Sequence, residues 1–289
     1  MKTNSHFPTP AVQPSLRRRA LLLSLPLLAA GSRAWSQAPE PKLGTPGKDA
    51  GWIPTPAGMV EAMLAMARVS KSDLVVDLGS GDGRIPILAA KLFGARALGV
   101  ELNADLVAYS DQAAAKEGVA DRVKFVRGDI FETDFSSATV VTLFMPPAVL
   151  QRLRPKLLDM KPGTRILSYL FAMDDWEPDE WAFTDGMHGM LWIVPAKVGG
   201  AWQISTGAPN PESHTVRLEQ RFQRITGHLL FGTAPLPLFD ARLDGDRVRF
   251  TALAGQRRFD FSGSVAGNSM AGRLHVTGEP QREWRATRI

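Results

Sequence analysis

Two textures of apolar and polar positions meet near residue 195 of this 289-residue chain. Before that point, short apolar runs alternate with stretches whose apolar residues recur every three or four positions. Leu74, Val75, Val76 and Leu78 form a buried-strand run, and Arg84 to Phe93 reads as the helix that follows it. Ala95 to Val100, Arg122 to Val126, Ala138 to Phe144 and Arg165 to Leu170 predict further strands. Ala57 to Ala67, Ala104 to Lys116 and Ala148 to Leu158 predict helices, the first with Val60, Met63, Leu64 and Ala67 on one face. Trp176 to Asp179 reads as a loop, and strands near Trp181–Phe183 and Met190–Val194 complete a seven-strand sheet. Alternation of strand and helix predicts an α/β doubly wound fold over residues 57–194, preceded by a Pro-rich leader at 37–56.

After residue 195 the helical period vanishes. Short alternating runs remain: Ala201–Ser205, Thr215–Gln223, His228–Phe231, Phe239–Leu243, Arg247–Leu253, Arg258–Ser264, Met270–Val276 and Arg282–Thr287. Turn residues separate them at Gly199-Gly200, Thr226-Gly227, Gly245-Asp246, Gly267-Asn268 and Thr277-Gly278. Strands about ten residues apart with such turns predict an antiparallel all-β sandwich or small closed barrel over residues 195–289.

The most informative stretch is VVDLGSGDGR, Val75 to Arg84. A strand feeding Gly79, Gly81 and Gly83 and then a helix puts backbone N–H groups at the carboxyl edge of a parallel sheet, where open α/β folds bind nucleotide-like ligands. The dinucleotide fingerprint is G-x-G-x-x-G. Here the spacing is G-x-G-x-G, and Arg84 stands at the dinucleotide third-glycine position. Asp77 lies where a ligand phosphate would otherwise sit; an acid there repels a pyrophosphate and attracts an ammonium. Glu101 ends the second strand, where a carboxylate can accept from both ribose hydroxyls. Asn103 reads as the N-cap of the next helix. Gly128, Asp129 and Ile130 follow the third strand, and Met145-Pro146-Pro147-Ala148 follows the fourth.

The D-x-G-x-G-x-G pattern resembles motif I of class I S-adenosylmethionine-dependent methyltransferases, which have a Rossmann-like seven-strand sheet. The resemblance implies S-adenosylmethionine as cofactor, with Gly79, Gly81 and Gly83 under its methionine and ribose and Asp77 facing its amino group. It implies that Asp129 meets the adenine amino group and that the backbone N–H of Ile130 meets the ring. A closer resemblance covers roughly Gly51 to Phe171. Trp52-Ile53-Pro54-Thr55-Pro56, DLGSGDGRI and GVELNADLVAYS are similar to the seven-strand protein-lysine methyltransferases, whose eukaryotic members act on mitochondrial membrane proteins of ATP synthesis and nucleotide exchange. This implies a protein partner presenting a lysine, and a leader that folds over the cofactor and helps shape the acceptor channel. The chain departs from that group at Phe131 and Glu132, where those members tend to carry Trp and Lys, and throughout its tail. Methyltransferases of exocyclic and amide nitrogens usually carry Asn or Asp before Pro-Pro; Met145 stands there instead, which argues against DNA adenine and glutamine-amide methylation. No residue is singled out as catalytic.

Composition changes the picture at the N-terminus. Arg17, Arg18 and Arg19 precede an apolar run, Ala20 to Ala30, and small residues Ala34 and Ser36 suit cleavage before Gln37. The run is too short to span a bilayer. Residues 1–36 therefore read as a twin-arginine-like export signal, which predicts a periplasmic protein, with a cytoplasmic location as the alternative. This segment holds five of the 34 basic residues and no acid, so removing it leaves 29 basic residues against 29 acidic ones. The formal charge of +5 is thus no sign of nucleic-acid binding. The balance is uneven: residues 37–194 carry 16 basic and 21 acidic residues, residues 195–289 carry 13 and 8, and twelve of the thirteen are arginine. Opposite signs could help the two halves dock. Cysteine is absent, and the five histidines show no metal-ligand spacing. Two other readings stay open: an exported protein that keeps the fold but works through its β-rich half, and a small-molecule methyltransferase. Export would separate an enzyme from cytosolic cofactor supply.

Overall fold

A computed structural model describes residues 40–44, 51–208 and 211–289. The segment read as an export signal lies outside the described residues. Helix α1 (Ala57–Met66) leads into β1 (Leu74–Leu78), α2 (Arg84–Phe93), β2 (Arg96–Glu101), α3 (Ala104–Lys116), β3 (Val123–Arg127), β4 (Val140–Leu143), α4 (Pro147–Leu158), β5 (Arg165–Tyr169), β6 (Glu180–Thr184) and β7 (Met187–Ile193). The seven strands form one sheet in the order β3-β2-β1-β4-β5-β7-β6. β1 to β5 are parallel, and β7 runs antiparallel to both β5 and β6. The order reverses beside β1, between β2 and β4, which opens a crevice at the carboxyl ends of those strands.

Alternation along β1 separates two buried layers. Val75 joins a core with Met59, Met63 and Leu64 of α1 and with Ile87, Ala89 and Ala90 of α2. Val76 and Leu78 point the other way, into a core with Leu150, Leu153 and Leu157 of α4 and with Trp176 and Trp192. At the opposite end of β1, Asp73 accepts from the Thr139 hydroxyl at 2.7 Å and the Ser70 N–H at 2.8 Å and pairs with Arg165. Burial alone would raise its carboxyl; these partners hold it below the usual range.

The β-rich half is a closed antiparallel barrel: β8 (Gly200–Thr206), β9 (Ser213–Arg221), β10 (Arg224–Phe231), β11 (Ala234–Asp244), β12 (Arg247–Ala254), β13 (Arg257–Ala266), β14 (Ser269–Val276) and β15 (Arg282–Arg288), with β15 closing on β8. Its interior is filled by side chains. Phe250 stacks on Phe261 with centroids 4.7 Å apart, and Trp284 meets both edge-on. Closure removes the free edges that an open sandwich would leave.

One expected turn is misplaced. Thr226-Gly227 lies inside β10, and the chain reverses at Phe222-Gln223 instead. Gly227 sits at a break in the pairing of β10 with β11, with φ 151°, and a Cβ there would lie 2.0 Å from the Arg217 carbonyl oxygen. The glycine serves close backbone approach at a bulge rather than a hairpin turn.

The barrel rests on the Trp176 side of the sheet. Phe222 stacks on Trp176 at 5.8 Å, the Trp176 indole donates to Gln223 at 3.0 Å, and Gln223 donates to the Glu177 carbonyl at 2.7 Å. Arg221 pairs with Asp175, Arg224 with Glu177 and Lys197 with Asp159. The expected complementarity of the two halves is present as these exposed pairs around an aromatic contact. Among the described residues, no helix is long and apolar enough to cross a membrane.

Candidate functional site

The crevice beside β1 holds a cavity of about 580 Å³, within the range of small-molecule sites. Asp77, Gly79, Gly81, Glu101, Asp129 and Ile130 all line it. Residues distant in the chain thus meet because each lies at, or just past, the carboxyl end of one of three adjacent parallel strands.

Asp77 is 3 % exposed, near the end of β1. Register places it opposite Thr142 of β4, whose hydroxyl donates to Asp77 Oδ1 at 2.6 Å. Burial pushes the carboxyl up to about 7; the Thr142 bond opposes this, and the nearby Asp82 and Glu101 add to it. A buried acid held this way is short of a positive charge. Glu101, at the end of β2, accepts from the Gly81 N–H at 3.0 Å through one oxygen and from the Asn103 N–H at 2.9 Å through the other. Asn103 caps α3 by accepting from the Asp105 N–H at 2.9 Å. One carboxylate therefore joins the glycine loop to the start of the next helix. Asp129 caps its own turn, taking the Phe131 N–H at 2.9 Å while still lining the cavity.

The glycine loop leaves no room for side chains. Gly81 has φ 54°, and a Cβ there would lie 2.3 Å from the Trp52 indole nitrogen; a Cβ on Gly79 would lie 2.0 Å from the Met145 methyl. Gly83 differs. It precedes α2 with φ 77° and is absent from the cavity wall; a Cβ on it would strike Phe125 and Ser110. Its smallness lets α2 pack against β3 and α3, the usual part of a third glycine.

The end of the leader, from Gly51 on, covers this loop. Gly51 to Thr55 line the cavity, and Arg84 ties them down by donating to the Thr55 carbonyl at 3.0 Å while gripping Asp82 with three short contacts. The opposite lip is Phe144, Met145, Pro146 and Phe171. Phe144 lies edge-on to Tyr169 at 4.7 Å and stacks on Phe171 at 6.1 Å. Thr142 and Phe171 are absent from the motif reading. Thr142 has a sequence signal, a lone hydroxyl in the apolar run VVTL, but its partner is fixed only by strand order.

Charge and shape define what fits. Asp77, Glu101 and Asp129 are acceptors, which disfavours a phosphate and suits an ammonium, a diol and an amino group. Leu102, Leu106, Ile130 and Phe171 supply flat apolar surface. The Ser80 hydroxyl is buried without a hydrogen-bond partner. S-adenosylmethionine carries each of the groups these residues call for.

A family model described as the ANTKMT methyltransferase domain matches residues 77–180, wholly within the sheet half. A protein-lysine N-methyltransferase of Saccharolobus islandicus is 46% identical over 131 residues, covering 45% of this chain and 81% of that protein. The adenine nucleotide translocase lysine N-methyltransferase of Mus musculus is 32% identical over 169 residues, or 58% of this chain, and the match spans only 62% of that relative's length. A crystal structure of an RNA methyltransferase from Salinibacter ruber, in complex with S-adenosyl-L-homocysteine, is 46% identical, with a TM-score of 0.50 over 50% of this chain and 96% of that one.

Proposed function

Because the chain belongs to the class I S-adenosylmethionine-dependent methyltransferases, we propose that it methylates the Nζ atom of lysine side chains in a protein. The carrying observation is the meeting of Asp77, Glu101 and Asp129 in one cavity, roofed by Trp52 to Thr55. In this reading Asp77 holds the cofactor's ammonium, Glu101 its ribose, and Asp129 with the Ile130 backbone its adenine, over Gly79 and Gly81.

The cofactor supplies an electrophilic methyl group on a sulfonium. The chain's own work is positioning and exclusion of water. Met145 stands where amide and base methyltransferases place Asn or Asp, so the lip offers no polar grip for a planar nitrogen. A lysine amine needs none once neutral; the Phe144, Pro146 and Phe171 lip desolvates it and limits its approach to one line. The acidic surplus of residues 37–194 favours arrival of a cationic acceptor.

Two measurements test this. Glu101→Ala removes the carboxylate that anchors both Gly81 and Asn103, and calorimetry should show cofactor binding weakened about 100-fold, the loss of about two charge-assisted hydrogen bonds. Wild-type affinity in that variant would sink the assignment. Incubation with methyl-labelled cofactor and cell extract should put label in lysines of protein. Label in RNA or in solvent-soluble material would overturn the acceptor while leaving the cofactor site intact. Cofactor binding with no transfer to any fraction would favour the non-catalytic reading.

We also propose that Arg17 to Ser36 direct export of the folded chain to the periplasm. Mass spectrometry of the isolated protein should find Gln37 as the first residue. A cytoplasmic protein beginning at Met1 would remove this proposal, and with it the separation from cofactor supply.

A further inference from the structure

Strand register turns scattered arginines into a belt around the barrel. Arg221 of β9 faces Arg224 of β10, Arg224 faces Arg242 of β11, and Arg242 faces Arg249 of β12. Arg249 faces Ser262 of β13, which faces Arg273 of β14. Like charges directly opposite one another destabilise a sheet, so a row of them needs compensation. One end of the belt has it: Arg221 and Arg224 reach Asp175 and Glu177 of the sheet half.

The middle of the belt, at Arg242 and Arg249, does not; beyond it Arg273 faces Glu283 of β15. Arg242, Arg249 and Arg273 line an outer groove of about 390 Å³ together with Arg258, His275, Asp240 and Asp260. Asp260 is engaged by Arg258 at 2.9 and 3.0 Å and by the Thr251 hydroxyl at 2.6 Å. Arg273 donates to the neutral Gln281 at 3.1 Å. No carboxylate stands across the ladder from Arg242 or Arg249 on either side. The groove thus holds four guanidinium groups against two carboxylates, one of them already engaged.

We propose that this groove binds a phosphate-bearing group, gripped between Arg242 and Arg249 and extended past Ser262 to Arg273. Neighbouring strands lie ~4.8 Å apart, so one phosphate fits between the first two guanidinium forks, and the row to Arg273 spans ~14 Å, enough for a second anionic group. Planar guanidinium forks suit phosphate oxygens better than ammonium groups do, which accords with arginine supplying twelve of the thirteen basic residues in this half. The phosphate could belong to a soluble molecule or to a lipid headgroup. Phe239 and Leu253, 46% and 43% exposed, lie beside the groove opposite Thr251 and Arg258, so both sources need testing.

Two probes are used: inorganic pyrophosphate by calorimetry, and flotation with phosphatidylcholine vesicles with and without phosphatidic acid. Wild-type protein should bind at least one of them. The double variant Arg242→Gln/Arg249→Gln should weaken that binding about 100-fold, and Arg273→Gln about tenfold, as expected for charge-assisted bonds. Arg285→Gln, an exposed arginine outside the groove, should bind as wild type. Pyrophosphate binding assigns a soluble ligand; binding only to phosphatidic-acid vesicles assigns a headgroup. Thermal melting guards against misfolding, since relieving the opposed arginines should leave the double variant's melting temperature at or above wild type. Wild-type binding to neither probe overturns the proposal. Equal losses in Arg285→Gln and the double variant overturn it too, because they would mean diffuse attraction.

Discussion

The sheet half and the barrel half use their buried space in opposite ways. The sheet keeps a cavity at the ends of β1 and β2, and puts an acid into it whose pKa is pushed up to about 7. The barrel packs aromatic rings to its centre and, apart from Arg282 buried against Glu212 and Glu279, carries its arginines outside. A cavity with a buried carboxylate costs stability and is retained where a ligand restores what burial removes. A filled barrel has only its surface left for recognition. The enzyme's chemistry therefore belongs to the half that keeps the cavity, and the barrel offers an outer face.

The largest effect should separate the halves. Trp284 is 1% exposed among Phe250 and Phe261, so Trp284→Ala should destabilise the barrel by about 3–5 kcal/mol. If the barrel is only a support docked through Trp176, cofactor affinity measured below the transition should change less than about threefold, under 1 kcal/mol. A large loss of affinity would show that the cavity depends on the barrel's integrity.

Next comes the buried acid. Asp77 has a raised pKa, so the folded state holds a proton that the unfolded state has lost between about pH 4 and 7. The stability this contributes is full below the unfolded value near 3.8 and is lost as pH rises through 7. Asp77→Asn should accordingly melt higher than wild type at pH 8, by an amount on the order of 2 kcal/mol. The same variant should bind cofactor more weakly, because the amide carries no charge for an ammonium. In the wild type, cofactor affinity should climb as pH rises toward 7 and level off above it. An affinity that is flat between pH 5.5 and 8 would detach Asp77 from the cofactor's charge.

These contrasts also explain what could be read in the linear chain. Asp77, Glu101 and Asp129 were legible because a parallel βα sheet places each loop after its own strand, so a local pattern becomes a shared site. All eight barrel strands were legible because period-two alternation marks each one separately. Thr142 was hidden, since its bond to Asp77 exists only because β4, and not β3, lies beside β1. Gly83 was read from its motif as a glycine beneath the cofactor, and Gly227 as a turn residue, whereas the structure gives both a packing role. The first answers to Phe125 and Ser110, the second to the Arg217 carbonyl, and these neighbours are distant in sequence. The arginine belt was invisible for the same reason: its members are scattered from β9 to β14, and only register aligns them.

The smallest effects concern how the halves meet. Phe222→Ala removes the ring stacked on Trp176 while keeping a side chain at φ 53°, so the backbone strain stays and only the contact goes. A loss of about 1–2 kcal/mol is expected for a half-buried aromatic contact of this kind. Arg224→Gln, by contrast, breaks a pair whose side chains are 71% and 64% exposed. Solvent already screens such a pair, so the melting temperature should fall by about 2 °C or less, and the difference from wild type should vanish in high salt. A loss as large as that of Phe222→Ala would mean that charge, not the aromatic contact, holds the halves together. The compensated end of the arginine belt would then be the docking device, and relief of repulsion along the barrel its driving force.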